Sequence, residues 1–377
     1  VFITGINHRS GTLSCLTDTR NPMSKKSSAY IDAQQRVVVH QLAKSWLWRS
    51  ELPTWLLMIT LYGGWFSCVL FWQTLGLTAS TLLLIVLTTW YLSLQHELIH
   101  GHPTRFPRLN QLFGTLPLAV WYPYGFYRDS HLAHHRNHTL TEPEEDPETY
   151  YVSPQRWAQL RPWQQNIIHL RNTFPGRILL GPLLDIAATL RALLRSVMTG
   201  DKPAIAMWLI HIGLLAALSC WLNHLGFSPL WWVLAVSYPA LALTKVRSFY
   251  EHRAADAPLA RSVNNEAAWP WRLLFLNLNY HSVHHDLPGL PWYGLRTLYL
   301  LYREGYHQRN HGFRVAGYGA WMLRFWRKPV GVNVHPGHHK DAQNAHHIVT
   351  DVRHRSSEHA GPDLSANDAA GATRRAG

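Results

Sequence analysis

Apolar residues along this chain fall in long unbroken runs rather than at the alternating spacing of a half-buried surface element. From Leu52 to Trp72, 21 residues pass without a charge, and another 21 follow from Leu75 to Gln95 after a break around Thr74 and Gly76. As a helix each run is about 30 Å long, which matches a bilayer core, so the pair predicts a tight transmembrane hairpin over 52–72 and 75–95. A second pair, 204–222 and 229–244, is joined by a short polar turn that begins at Asn223. The fold expected from this pattern is all-α and integral to a membrane: four transmembrane helices in two hairpins, with a cytoplasmic helical cap.

Two other apolar stretches are interrupted and read differently. Asp185, Arg191 and Arg195 break the run from Ile178 to Met198. At 100° per residue they gather with Thr189 and Ser196 opposite Leu183, Ile186, Leu190, Leu193, Leu194 and Val197, which predicts a helix lying in the interface rather than crossing it. Asn110 to Tyr127, broken by Pro117, Pro123 and Gly125, is expected to be another interfacial or re-entrant piece.

Composition supports a chain partly solvated by lipid. Eighteen Trp, 16 Tyr and 12 Phe accompany a hydrophobic fraction of 47%, while charged residues make up only 15%, against the usual quarter of a soluble protein. The formal charge of +13 would suit a nucleic-acid binder, but all 35 Lys and Arg lie before residue 52, within 96–203 or after Thr244, and none lies in either hairpin turn. That is the bias of a positive-inside topology, with both termini and the large loop in the cytoplasm, and no nucleic-acid partner is expected. Cys15, Cys68 and Cys220 are too scattered for a zinc or iron–sulfur site of their own. Residues 1–49 read as an N-terminal cytoplasmic segment, of which 1–22 is expected to be an extension upstream of a natural start at Met23. The membrane domain is expected over 50–330, and 331–377 as a polar, disordered tail.

Candidate chemistry comes from histidine, of which there are 25. Three clusters lie at the cytoplasmic side of this topology: His96-Glu97-Leu98-Ile99-His100, His131-Leu132-Ala133-His134-His135 and His281-Ser282-Val283-His284-His285. Imidazoles at i, i+3 and i+4 share one face of a helix. Imidazole suits iron, zinc, copper and nickel alike, but a single zinc takes only three or four ligands. Eight imidazoles supply two metals and leave positions for oxygen, which favours a redox-active pair, with iron the strongest candidate. His-Glu-Leu-Ile-His alone is also a zincin motif, and that reading leaves the other two clusters without a role. A metal transporter is the non-enzyme alternative, although within the spans only His211 could serve it.

The series H-x3-H, H-x2-H-H, H-x2-H-H, with one hairpin before the first box and another between the second and third, resembles the membrane fatty acid desaturase superfamily. Gly101, Asp146-Pro147-Glu148, Arg247 to Arg253, Asn279-Tyr280 and Pro288 to Trp292 extend the resemblance, which covers about residues 50 to 310. It implies that His96, His100, His131, His134, His135, His281, His284 and His285 bind two irons, with His252 as a ninth ligand. Glu97, Asp146 and Glu251 are expected to orient imidazole N–H groups. His102 and His138, beside the boxes, are expected to have no ligand role. The implied reaction is O2-dependent desaturation of a fatty acyl or lipid-like chain. The alternatives on the same site are hydroxylation or ketolation of an alkane, lipid or carotenoid, and desaturation of a small amino-acid-derived metabolite. His335-Pro336-Gly337-His338 is similar to a cytochrome b5 haem-ligand motif, but its polar tail is too poor in apolar residues to build that domain and is expected to be solvated. Electrons are therefore expected from a separate ferredoxin or rubredoxin-type donor with its reductase. The inner membrane of a bacterium is the expected location.

Overall fold

The computed structural model describes residues 29–136, 139–330 and 333–336. The expected extension over 1–22, His138 and most of the expected tail lie outside them. The described chain is predominantly helical, with one parallel pair of two-residue strands, Asn264–Asn265 and Arg314–Val315.

Among the described residues, three helices are long and apolar enough to cross a membrane: Leu52–Leu70, Leu77–Ile99 and Lys202–His224. The second and third extend beyond their expected bounds. Nothing after Gln95 breaks the helix until Gly101, so His96 rides on the last turn of the apolar helix itself. Gly101 takes φ +92, and the bonds Gly101 N–H to Leu98 O and His102 N–H to Glu97 O close a Schellman end that only a residue tolerant of positive φ accepts easily.

The fourth expected span is a composite helical run: Pro229–Trp231, a π-helical Trp232–Ser237 and Tyr238–Arg247, on the order of 28 Å in all. Pro239 has no N–H to continue the ordinary ladder, and the wider turn closes just before it through Tyr238 N–H to Val233 O.

Both hairpin turns meet at one end of the bundle. Trp72 Nε1 donates to Leu225 O at 3.0 Å, Trp231 Nε1 donates to Thr81 Oγ1 at 3.0 Å, and Trp72 packs edge-on against Phe227. Leu61, Trp65, Leu84, Tyr91, Leu222 and Trp232 are fully buried and fill the core between the helices. All the histidine boxes begin at the opposite end.

The piece expected to be interfacial or re-entrant takes in most of a helix, Pro107–Thr115, an irregular segment that runs into the middle of the bundle, and the start of the helix Tyr124–His134. Irregular backbone at such a depth must find side-chain partners. Tyr62 Oη donates to Phe113 O at 2.8 Å, Gln95 Nε2 to Gly114 O at 3.0 Å, Ser237 Oγ to Ala119 O at 2.8 Å, and Trp121 Nε1 to Ser237 O at 3.1 Å. His211 Nε2 meets Val120 O at 2.8 Å, so the histidine in the third apolar helix serves the backbone here.

The expected interfacial helix runs over Phe174–Thr199, with Leu179, Leu183, Leu190, Leu194 and Val197 exposed. Its charges divide in a way the helical wheel did not anticipate. Arg191 and Arg195 are exposed, whereas Asp185 turns inward and forms a buried ion pair with Lys245.

The boundary of the expected tail also shifts. Val152 N–H donates to Asn333 O and His335 N–H to Val152 O, and His335 is buried beside Thr141 Oγ1 at 3.1 Å and Glu142 at 3.7 Å. His335 is therefore packed rather than solvated: backbone pairing with Val152 holds it where carboxylate and hydroxyl partners replace water.

Candidate metal centre

Each box is delivered by a helix end. His96 closes Leu77–Ile99 and His100 caps it. His131 and His134 form the last turn of Tyr124–His134, with His135 as its cap. The short helix His281–Asp286 presents the third box, with Ser282 N–H tied to Val263 O. His252 follows the composite helix in an irregular loop, fixed by an antiparallel bridge to Ser262 and by Val263 N–H to Glu251 O.

These elements bring all nine expected histidines together in two groups: His96, His100, His131, His135 and His284, and His134, His252, His281 and His285. Within each group, one ring nitrogen per residue lies within 4.8 Å of every other, so each group could hold a metal ion. The groups share an edge, where the rings of His135 and His285 stack with centroids 4.3 Å apart. Boxes two and three each contribute to both groups. His102 belongs to neither group and pairs with Glu51 at 2.7 Å.

The spacing of the nitrogens tests the fit. Contacts between Nε2 atoms link His100 to His131, His131 to His135, His135 to His284, His134 to His252, His252 to His281 and His281 to His285, all at 2.9–3.1 Å. Nitrogens on adjacent corners of an octahedron about 2.1 Å from its centre lie roughly 3.0 Å apart, whereas a tetrahedral zinc separates them by roughly 3.4 Å. His96 Nε2 is buried with no hydrogen-bond partner among the described residues. A cation at each centre would satisfy these converging lone pairs together.

Protonation is set for the same purpose. Burial lowers the pKa of His131, His135, His252, His281 and His285, and crowding by neighbouring imidazoles adds to it, which keeps these rings in the neutral form that binds metal. At His134 burial works the same way, but Asp146 and Glu148 outweigh it and raise the pKa. His134 and the hydrogen bond from His131 in turn hold Glu148 well below the usual carboxylate range despite its burial.

Carboxylates stand behind the rings. Asp146 Oδ1 lies 2.7 Å from His134 Nδ1 and also accepts Glu148 N–H, while Oδ2 accepts Thr141 N–H. Glu251 lies 3.5 Å from His281 Nδ1 and is held by Arg247 at 2.9 Å, and Glu97 lies 3.5 Å from His96 Nδ1. Sequence reasoning missed Glu148, 3.2 Å from His131 Nδ1, although the Asp-Pro-Glu run carried the signal, and Ser262, 3.2 Å from His252 Nδ1, for which no local signal exists. Asp146→Asn should lower metal affinity about 10–100-fold at the four-histidine group while the chain stays folded, as read by metal titration of the purified variant.

A search of curated proteins returns no match to this chain. The model of the family described as fatty acid desaturase does match it, over residues 70–317, well over half of its length and all nine of these histidines. Together with the three apolar helices, that match makes this a membrane protein and an oxidoreductase of desaturase or hydroxylase type. The chain belongs to the fatty acid desaturase family.

Proposed function

We propose that the two histidine groups hold two iron ions and that the protein uses O2 and electrons from a separate donor to introduce a double bond into a fatty acyl or lipid-like chain. The observation that carries this reading is the near-octahedral edge spacing within two adjoining sets of buried imidazoles. Iron in such a site supplies the oxidising power to remove hydrogen from an unactivated C–H bond, which zinc lacks. Asp146, Glu148 and Ser262 fix the orientations of His134, His131 and His252 through Nδ1, leaving Nε2 for the metals.

A cavity of about 20 Å³ adjoins His96, lined on its apolar side by Leu92, Leu241 and Leu278 and on its polar side by Ser93, Thr244 and Arg247. That volume holds little more than one water, so an acyl chain entering through this cavity would have to displace side chains. The three leucines would exclude water from the reacting carbon, and the shape of the opened channel would select that carbon. The four-span arrangement is part of the same proposal. Both hairpin turns lack Lys and Arg, so the box end and the termini face the cytoplasm, in the inner membrane of a bacterium. A ferredoxin or rubredoxin-type donor with its reductase supplies electrons on that side.

Mass spectrometry of products after turnover with a matched donor tests the reaction. Loss of two hydrogens is expected. Gain of one oxygen would replace desaturation by hydroxylation on the same residues, and no oxygen consumption at all would contradict the proposal.

A further inference from the structure

Three helices share one apolar core beyond the end of the composite helix, and each turns a second apolar face outward. Phe174, Phe249, Phe275, Tyr318, Trp321 and Phe325 form that core. On the outer side lie Leu179 and Leu183 of Phe174–Thr199, Trp269 and Leu273 of the short helix Trp269–Leu274, and Met322, Leu323 and Trp326 at the helix Tyr318–Phe325. Leu323 is 80% exposed, Trp269 66% and Trp326 52%, values that water alone makes costly for side chains of this size.

The level of this collar along the bundle is fixed by hydrogen bonds. Trp90 Nε1 donates to Leu273 O at 3.0 Å and Ser93 Oγ to Leu274 O at 3.4 Å. Both donors belong to the apolar helix Leu77–Ile99, one to two turns before His96. Trp269–Leu274 therefore hangs beside the outer part of a helix built to cross a membrane. Tyr318–Phe325 packs directly on it, with Tyr318 5.5 Å from both Trp271 and Phe275.

The spacing within the last helix is that of a surface element. Trp321 and Phe325 point inward at i and i+4, while residues 322, 323 and 326 share the other side. Exposed Arg327 and Lys328 follow that apolar side, exposed Arg324 lies over the Phe325 ring at 5.3 Å, and none of the three pairs with a carboxylate among the described residues. Aromatic and aliphatic residues beside cations that no carboxylate neutralises, at the edge of a span, match the boundary between acyl chains and anionic headgroups.

We propose that the collar formed by Trp269–Leu274, Tyr318–Phe325 and the outer face of Phe174–Thr199 is a docking surface for the membrane itself, seating Leu323 and Trp326 among acyl chains and binding anionic headgroups through Arg324, Arg327 and Lys328. The surface is independent of the metal centre and of the reaction assigned to it. It anchors the layer that carries His252 and the third box against the bilayer, on the side where a lipid-like substrate would arrive.

The test uses the full chain in phosphatidylcholine nanodiscs with and without added phosphatidylglycerol. A nitroxide is placed at Leu323→Cys in a Cys15→Ser/Cys220→Ser background, since Cys220 is exposed and Cys68 is buried. The label is expected to be relaxed by oxygen and shielded from a water-soluble nickel chelate in both lipids, more deeply with phosphatidylglycerol. Arg324→Gln/Arg327→Gln/Lys328→Gln, all at exposed positions, should reduce the preference for phosphatidylglycerol at least about fivefold without changing folding. A label open to the nickel chelate in nanodiscs would overturn the proposal. So would one shielded from both relaxants, which would mean a protein surface, another copy or the chain's own C-terminal segment covers the site. An unchanged lipid preference in the triple variant would remove the headgroup role.

Discussion

His134→Ala is expected to abolish turnover, by more than about 100-fold, and to cut the metal held by the four-histidine group. His134 joins both functions of the site: its Nε2 lies 3.1 Å from His252 Nε2, and its Nδ1 meets Asp146 at 2.7 Å. Alanine removes one of the four converging nitrogens and leaves Asp146 buried without its imidazole partner, though Glu148 N–H and Thr141 N–H still reach that carboxylate. The fold should therefore survive while one metal is lost. Activity with a saturating donor and iron content per chain are the measurements, with His40→Ala, an exposed histidine on Ala33–Lys44, as the comparison that should change neither. Full activity in His134→Ala would remove it from the metal-binding set.

The second large effect concerns stability. Lys245 is fully buried and pairs with the carboxylate of Asp185, joining Phe174–Thr199 to the helix that leads into Arg247 and His252. Lys245→Met leaves Asp185 buried opposite a thioether, at a cost of about 3–5 kcal/mol. The thermal midpoint of the protein in nanodiscs should fall on the order of 10 °C. Adding Asp185→Leu should recover most of that loss, because an apolar pair of similar volume needs no charge compensation. Failure of the double variant to recover would show that the pair contributes more than mutual neutralisation.

The parts legible beforehand are those that local spacing determines. The boxes declare themselves because imidazoles at i, i+3 and i+4 can converge only when their segment is helical, and the apolar runs because a hydrocarbon core demands length without charge. Where partners come from distant segments, spacing says less. Glu148 was passed over beside Asp146, since which of two carboxylates reaches His131 depends on how the loop turns at Pro147. Ser262 reaches His252 through a bridge between strands of loop that carry no pattern. Helical spacing puts Asp185 with the arginines on a polar face, yet its position is decided by Lys245, 60 residues later in the chain. The polar composition of the residues after it points His335 to solvent, whereas Val152 draws it into the fold.

Val120 illustrates the other limit. It adopts φ +65, a conformation that β-branched residues avoid, and keeps it because His211 and the Ser237–Ala119 bond hold the segment on either side of its peptide. Nothing in the local sequence foretells that conformation, but the isolated histidine in an apolar helix was its one visible trace.

Elemental analysis of the purified, full-length protein for iron and zinc is the most direct test of the metal centre. Two sets of converging imidazoles predict close to two iron ions per chain. A single zinc, or no bound metal with the nine rings still in place, would contradict the diiron reading.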